Sequence, residues 1–571
     1  MTPGDTFVNS STPALARVAL AAFALIAVAA AYLGAQPPRA LPLDAAPADF
    51  SGQRALQHSY KFATEPRPRG GYAAARGRDY LVRTLQDLGL EVEVQRDPVN
   101  HGMFISFVEN VIARIPGTAS TQTTGMTAHY DSVAWGPGAA DDGSGVVVML
   151  EVARALKCGP PLKHDVVFIF TGDEEGGGNG SVISLSHRWM KDLNIVLGLE
   201  GRGDWGTAFM FETSEGNLPL MYELKKSGAP AVSNSIMYQV HSRTPNTTDF
   251  THMANNGALG YNVAFVGGLG YYHTANDKPQ HLSPHTLQHQ GEYMMALVRH
   301  YDNDGPKIAK GEDAVFFNTL GTHLIVYPAS LSRWFAIAAG VLFVVALGVA
   351  IYTGSVTILG TLGALSIVLV SLALTGAIGG ALQYVSYKLY YVYIMYNAAY
   401  YHIAFMLMGT AIAVTLLAWW RERLRPENLQ AAMLLLFLVA VAVQEREMPI
   451  TSYSTTWPLF FGALSLGAAS LMRRAGLPLW LTVFIQSFGS LPAIAFLVPG
   501  MHAFYHMGGA ISPAANSALY LIVFFCLAPA WLLIAGGGGK RVAQATAVLA
   551  ALVFLAGWGA QRFSAEKPKM N

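Results

Sequence analysis

The sequence predicts a two-part protein: a mixed α/β domain, then an all-α bundle of membrane-spanning helices. Three observations carry this reading. Charge is concentrated in residues 39–313, and long apolar runs dominate after Leu331. Within residues 50–310, short apolar runs alternate with helical patterns, the signature of an α/β sheet. Acidic residues and histidines gather just past the carboxyl ends of the predicted strands, the edge where open α/β sheets bind ligands.

The chain has 571 residues, more than one ordinary domain, and is 52% hydrophobic with only 13% charged. Its formal net charge of +1 gives no reason to expect a nucleic-acid partner. The two cysteines, Cys158 in the polar part and Cys526 in an apolar run, do not form a disulfide framework.

The first apolar run, residues 14–35, is long enough to span a bilayer. It follows a tail, residues 1–13, whose only charge is Asp5. A retained anchor and a cleaved signal peptide both fit; the missing basic cluster favours the anchor. Either way the following domain crosses the membrane. Residues 36–49, rich in proline, read as a linker, and 311–332 as a connector. The bundle, 333–560, holds about eight spans by the usual length criterion. They fall near 333–353, 355–378, 398–420, 429–444, 455–472, 477–499, 517–535 and 542–560, with residues 561–571 as a tail. With the N-terminus inside, the basic loops Arg421–Arg425, Met472–Arg474 and Lys540–Arg541 all fall on the cytoplasmic side. Only the tail, with Arg562, Lys567 and Lys569, is discordant. This makes an integral membrane protein of about nine spans, its polar domain on the non-cytoplasmic side. The Ala- and Leu-rich spans point to a periplasmic domain in a bacterium; in a eukaryote it would face an organelle lumen. Transport by the bundle is a competing reading, but its polar residues, such as His402, Gln383, Gln444 and Gln486, include few ionisable groups.

In the polar domain TGMTAHY, DVVFIFT, NIVLGLE, AFMFE and NVAFVGG read as strands. Helices fit at Ala73–Leu88, Gly145–Leu156, Ser181–Met190, Leu218–Lys226 and Pro284–Tyr301. His129 and Asp131 follow the first strand, Glu174 and Glu175 the second, Glu200 ends the third, and His273 and Asp277 follow the last. Histidines and carboxylates converging on one edge suit a borderline divalent metal, zinc above all. Asp141, in a Gly-flanked loop, is placed to bridge a pair of metals. Asp131, two residues from His129, is placed to accept from the imidazole N–H and fix its tautomer. Asp142 suits a cap for the helix that follows. Of Glu174 and Glu175, one can ligate while the other takes a proton from a water made acidic by the metal, the requirement for hydrolysing an amide. Singly, each residue has an ordinary structural reading; in joint order they do not.

The motifs HYDS (His129–Ser132), GAADDGSG (Gly138–Gly145), GDEEGGGNGS (Gly172–Ser181), GLEGRG (Gly198–Gly203) and YHTANDKP (Tyr272–Pro279) resemble the M28 family of zinc peptidases. EPRPRGGYAAARGRDYLVRTLQDLGLEVEV resembles that family's N-terminal helix and strand. The resemblance implies an α/β zinc-peptidase domain, a mixed sheet flanked by helices, holding two Zn2+ ions and acting on peptides. It implies His129, Asp141, Glu175, Glu200 and His273 as ligands, with Asp141 bridging. It implies Glu174 as general base and Tyr272 as an oxyanion contact, with Asp249 and Phe250 shaping the substrate pocket. The anchor, M28-like domain and multi-span bundle together resemble vacuolar membrane proteases and endoplasmic reticulum metallopeptidases. Gly176–Gly178 depart from the family, which often has a larger residue there.

An aminopeptidase is the leading expectation. A glutaminyl cyclase-like acyl transferase is a second; its resemblance implies one zinc and no first histidine ligand, against the presence of His129. A catalytically inactive receptor or scaffold is a third; it would lose ligands or base, and none is missing here. Side-chain preference and oligomeric state have no signature in the sequence.

Overall fold

Four parallel strands at the centre of an eight-stranded sheet place the ends of the key motifs on one edge. A computed structural model describes residues 36–100, 105–303, 305–319, 321–390, 398–506, 513–534 and 539–563. They fall into two units, divided between Ala329 and Ser330. The anchor expected at 14–35 and residues 564–571 of the tail lie outside the described residues.

In the first unit, α1 (Gly52–Phe62) is capped by Ser51, whose hydroxyl accepts from Arg54 N–H. Next come α2 (Tyr72–Asp87), β1 (Glu91–Asn100), β2 (Ile105–Ile115) and β3 (Thr123–His129). After them run α3 (Gly143–Cys158), β4 (Asp165–Thr171), α4 (Asn179–Ser184), β5 (Leu193–Gly201) and β6 (Phe209–Thr213). The unit continues through α5 (Leu218–Lys226), β7 (Val232–Ser233), α6 (Ser235–His241), α7 (Asp249–Asn255), β8 (Gly260–Phe265) and α8 (Pro284–Asn303). The strand order is β1-β2-β4-β3-β5-β8-β6-β7. β3 pairs parallel with both β4 and β5, and β5 with β8. Their unbroken apolar runs are what a strand covered on both faces requires. β3 and β8 are buried along their whole length.

Two expectations change. The helix expected over Ser181–Met190 is the short α4 and a separate 3-10 turn, Arg188–Met190. His187 between them has extended backbone, and its ring accepts from Trp189 N–H, capping a new turn instead of continuing the old one. The connector 311–332 contains a hairpin, β9 (Ala314–Asn318) with β10 (Leu324–Pro328).

α1 is tied to α3 through one carboxylate. Glu151, fully buried on α3, accepts from Ser51 N–H at 3.0 Å, Arg54 Nε at 2.8 Å and Arg154 Nε at 2.7 Å.

The second unit is helical: α9 (Ser332–Tyr352), α10 (Ile358–Tyr390), α11 (Ala398–Trp420), α12 (Pro426–Glu447) and α13 (Tyr453–Arg474) come first. α14 (Leu479–Gly489), α15 (Leu491–His506), α16 (Pro513–Ile534) and α17 (Gly539–Phe563) follow. Among the described residues, six helices are long and apolar enough to cross a membrane. α14 and α15 meet at a 42° bend and together have the length of a seventh, and a shorter apolar stretch runs over Arg541–Gly557. The run expected at 477–499 is thus a broken helix. Small residues let these helices approach closely: Ala339, Ala364, Ala413, Ala431 and Ala463 are fully buried among Phe343, Leu429 and Leu466. Gln430 donates to Ser465 Oγ at 2.6 Å and accepts from Gln486 at 3.2 Å, which links three helices, while the buried Gln486 Oε1 accepts no hydrogen bond.

Truncating Glu151→Ala leaves the Ser51 N–H without its acceptor and removes the carboxylate partner of two partly buried arginines, Arg54 and Arg154. The expected loss is about 3 kcal/mol of folding stability, discounted for the solvent that reaches the arginines. The shift in denaturant midpoint of the full chain measures it.

Candidate metal centre

Parallel pairing builds the site. Thr127 of β3 pairs with Gly198 of β5, which brings His129 and Glu200 level at the carboxyl edge. His129 pairs with Thr171, so the Glu174–Glu175 turn after β4 starts from the same edge. Asp141 comes from the loop before α3, and His273 from the loop after β8.

The two oxygens of Asp141 face different histidines. Oδ1 is 3.2 Å from His129 Nε2, and Oδ2 is 2.9 Å from His273 Nε2. Glu200 Oε1 is 3.9 Å from His129 Nε2, and Glu175 Oε1 is 3.2 Å from His273 Nε2. Two donor groups result, His129–Asp141–Glu200 and Asp141–Glu175–His273, each with its ligand atoms within 4.8 Å of one another. Glu174 belongs to neither group; its Oε2 lies 3.8 Å from His129 Nε2.

The donor set fits a cation. His129 Nδ1 faces the Asp131 carbonyl oxygen at 3.2 Å. A proton on Nδ1 leaves Nε2 with a lone pair aimed at carboxylate oxygens, an arrangement that needs positive charge between them. Glu175 Oε1 is buried and accepts no hydrogen bond. Burial pushes the Glu200 carboxyl up to about 8 and the Glu174 carboxyl well above its usual range. For the histidines burial acts downward, yet neighbouring carboxylates raise His273 to about 10 and His129 well above its ordinary value. Burial opposes the charge of Asp141 as well, but His129 and His273 hold its carboxyl low.

Asp131 does more than the sequence implied. Its Oδ1 is 3.5 Å from His129 Nδ1, farther than its own carbonyl oxygen. Its carboxylate also accepts from the N–H groups of Glu174 and Glu175, each at 3.3 Å. One residue therefore holds both, the imidazole through its carbonyl oxygen and the glutamate turn through its carboxylate. Asp142 accepts from Gly145 N–H at 3.0 Å and caps α3. The Asp141–Asp142 peptide is cis.

Tyr272 stacks on His273, ring centres 3.9 Å apart, and burial raises its hydroxyl pKa. His273 itself has φ 53°, a left-handed conformation uncommon outside glycine. Trp135 Nε1 donates to its carbonyl at 2.9 Å and helps hold it there. The pocket role expected for Phe250 is corrected: it is fully buried in the core beside Ile112, Val167 and Val196. Asp249 is buried too, accepting from Thr171 Oγ1, and burial raises its carboxyl to about 6. It lies beneath the site and offers little surface to a substrate.

Two positioning groups escaped the sequence reading. Arg67, fully buried, donates to the carbonyls of Tyr130, Pro137 and Gly138, and packs 4.1 Å from the Phe62 ring centre. It shapes the loop that delivers Asp141. Asp277 accepts from Ala140 N–H at 2.7 Å and Asp141 N–H at 3.2 Å, fixing the backbone of the shared ligand. Burial raises its carboxyl to about 7. Arg67, one of two arginines in EPRPRGG, carries no local signal of such a role, whereas Asp277 already stood in the last motif.

The family model of peptidase family M28 matches residues 110–298. That segment is an M28 peptidase domain. The chain is 29% identical over 293 residues to a vacuolar membrane protease of Eremothecium gossypii, covering 47% of this chain and 29% of that protein. It is 29% identical over 261 residues to endoplasmic reticulum metallopeptidase 1 of Mus musculus, covering 42% of this chain and 29% of that protein. The matches thus span less than a third of these relatives' length. A glutaminyl cyclase from Porphyromonas gingivalis superposes with a TM-score of 0.37 at 22% identity, over 44% of this chain and 98% of that one.

Asp277→Asn is expected to weaken zinc binding by about 10–100-fold, as loss of a group that orients a ligand does. Graded chelator dialysis of the full chain with metal analysis checks it. A second expectation concerns pH. Without metal, Glu200 at about 8 and Asp277 at about 7 keep protons that the unfolded chain has lost above about pH 4.5. His273, at about 10, does the same above about pH 6.5. Both kinds of shift make stability fall as pH rises. Melting of the chelated chain should therefore drop between about pH 4.5 and 10, and zinc should suppress most of that drop.

Proposed function

We propose that the chain is an integral membrane zinc metallopeptidase, an aminopeptidase acting on peptides on the non-cytoplasmic side. The observation that carries this reading is Asp141, whose two oxygens face two separate donor groups. That geometry suits two zinc ions bridged by one carboxylate, with His129 and Glu200 on one side and Glu175 and His273 on the other. Zinc, when bound, polarises a carbonyl oxygen and acidifies water.

The chain's own residues do the rest. Glu174 belongs to neither donor group although its Oε2 lies 3.8 Å from His129 Nε2, and its raised proton affinity suits an acceptor that takes a proton from water and returns it to the leaving amine. Asp131 keeps the His129 ring and the Glu174 backbone in register. Tyr272, held against His273, is placed to donate from its hydroxyl to a developing oxyanion. The names of the relatives, a vacuolar membrane protease and an endoplasmic reticulum metallopeptidase, agree with a peptidase domain in a membrane chain. The long apolar helices supply the attachment, with about nine spans once 14–35 is counted as an anchor.

Glu174→Gln is expected to lower peptide hydrolysis by at least about 10³-fold while zinc content and melting stay near wild type. Metal analysis of wild type should give two zincs per chain; one zinc under replete conditions would favour the cyclase-like reading instead. Free and N-acetylated versions of one peptide then test the aminopeptidase assignment, which predicts cleavage of the free form alone.

A further inference from the structure

Arg202 lies two residues beyond Glu200, at the carboxyl end of β5. Its backbone N–H donates to Phe265 O at 2.9 Å, which fixes the root of the side chain to the end of β8. The guanidinium carbon sits 5.7 Å from the centre of the Tyr272 ring, the same ring that stacks on His273. It is therefore one aromatic ring away from a proposed zinc ligand.

The neighbouring arginines are engaged. Arg67 spends its donors on backbone carbonyls, and Arg69 pairs with Asp173. Arg202 is different. Among the described residues its guanidinium donates no hydrogen bond and has no carboxylate within ion-pair distance; it lies over the Tyr272 face, and the negative charge of Glu200, Asp141 and Glu174 nearby favours its charged form against burial. The residue is partly buried. A guanidinium withdrawn from water with unfilled donors is costly, and the cost is recovered when a ligand brings acceptors. Its planar fork matches a carboxylate, which accepts two parallel N–H bonds. The acidic ligands around it do not fill this role, being directed toward the histidines.

We propose that Arg202 binds a carboxylate of the substrate, so that the site prefers peptides bearing a free carboxylate close to the scissile bond. This rests on the peptidase reading of the same site. The carboxylate has two possible sources, an acidic side chain or the C-terminus of a short peptide, and both present the same chemistry to the guanidinium.

The test uses the full-length, zinc-loaded chain in detergent and four short peptides. One pair differs as Glu against Gln next to the scissile bond. The other differs as free against amidated C-terminus. Wild type should favour the carboxylate member of one pair by about ten-fold or more in kcat/KM, the size expected of a charged hydrogen-bonded pair. The pair that discriminates identifies the source. In Arg202→Gln that ratio should fall toward one, and Arg202→Lys should restore part of it. Arg202→Glu should reverse the preference. Peptide affinities for the Glu174→Gln chain, measured by calorimetry, should give the same ratio without turnover. Hydrolysis of all four peptides at equal rates, or a preference unchanged in Arg202→Gln, overturns the inference while leaving the peptidase reading intact. Hydrolysis of none by wild type overturns the peptidase reading, and this inference with it.

Discussion

The structure of the polar unit depends on gathering negative charge where water is scarce. Asp131, Asp141, Asp142, Glu200, Asp249 and Asp277 are all buried near one strand edge. Like charges in such a place cannot all ionise without compensation. The raised carboxyl of Glu200 and the raised imidazoles of His129 and His273 express that constraint: without a metal, the cluster takes up protons. A pair of divalent ions would replace those protons, and the same crowding that destabilises the empty cluster then gives it affinity.

A cluster under such repulsion needs a rigid frame. The parallel pairing of β3, β4, β5 and β8 sets the depth at which each motif ends. The loop over 130–138 cannot relax away, because Arg67 ties three of its carbonyls together. The Asp141 backbone is held from the other side by Asp277, and the start of α3 by Asp142. Repulsion is thus confined to side chains whose backbones are fixed, the arrangement that keeps ligands in place between binding events.

How far this was legible in the sequence follows from the range of each interaction. Strand ends and the clustering of candidate site residues could be read because unbroken apolar runs mark buried parallel strands, and His129, Glu174 and Glu200 stand at or just past their ends. The duty of Arg67 could not be read: it acts on residues 63 to 71 positions away. Phe250 was misjudged for a local reason. It adjoins Asp249, but neighbours on a helix point in different directions, and the first turn of α7 sends its ring into the core. α1 was missed because GQRALQHSYKF is polar overall and buries only a narrow stripe, including Ala55, Ser59 and Phe62. In the bundle, hydropathy located each apolar run but not the bend within 477–499, where Gly489–Ser490 precedes Pro492.

The charged residues of the bundle tie helix ends together. Glu427 is fully buried, and an acid inside a membrane protein is by default a functional signal. Its position says otherwise. It stands in the first turn of α12 and pairs with Arg473 in the last turn of α13. An acid at a helix N-terminus and a base at a C-terminus each complement the helix dipole, so the pair clamps two helix ends where it costs least. At the other end of α12, Glu445 accepts from Ser332 and Ser452, joining the starts of α9 and α13 to it. Between these ends the central polar contact, Gln430 with Gln486 and Ser465, is uncharged. Charges at the margins and neutral amides at the centre hold these helices together.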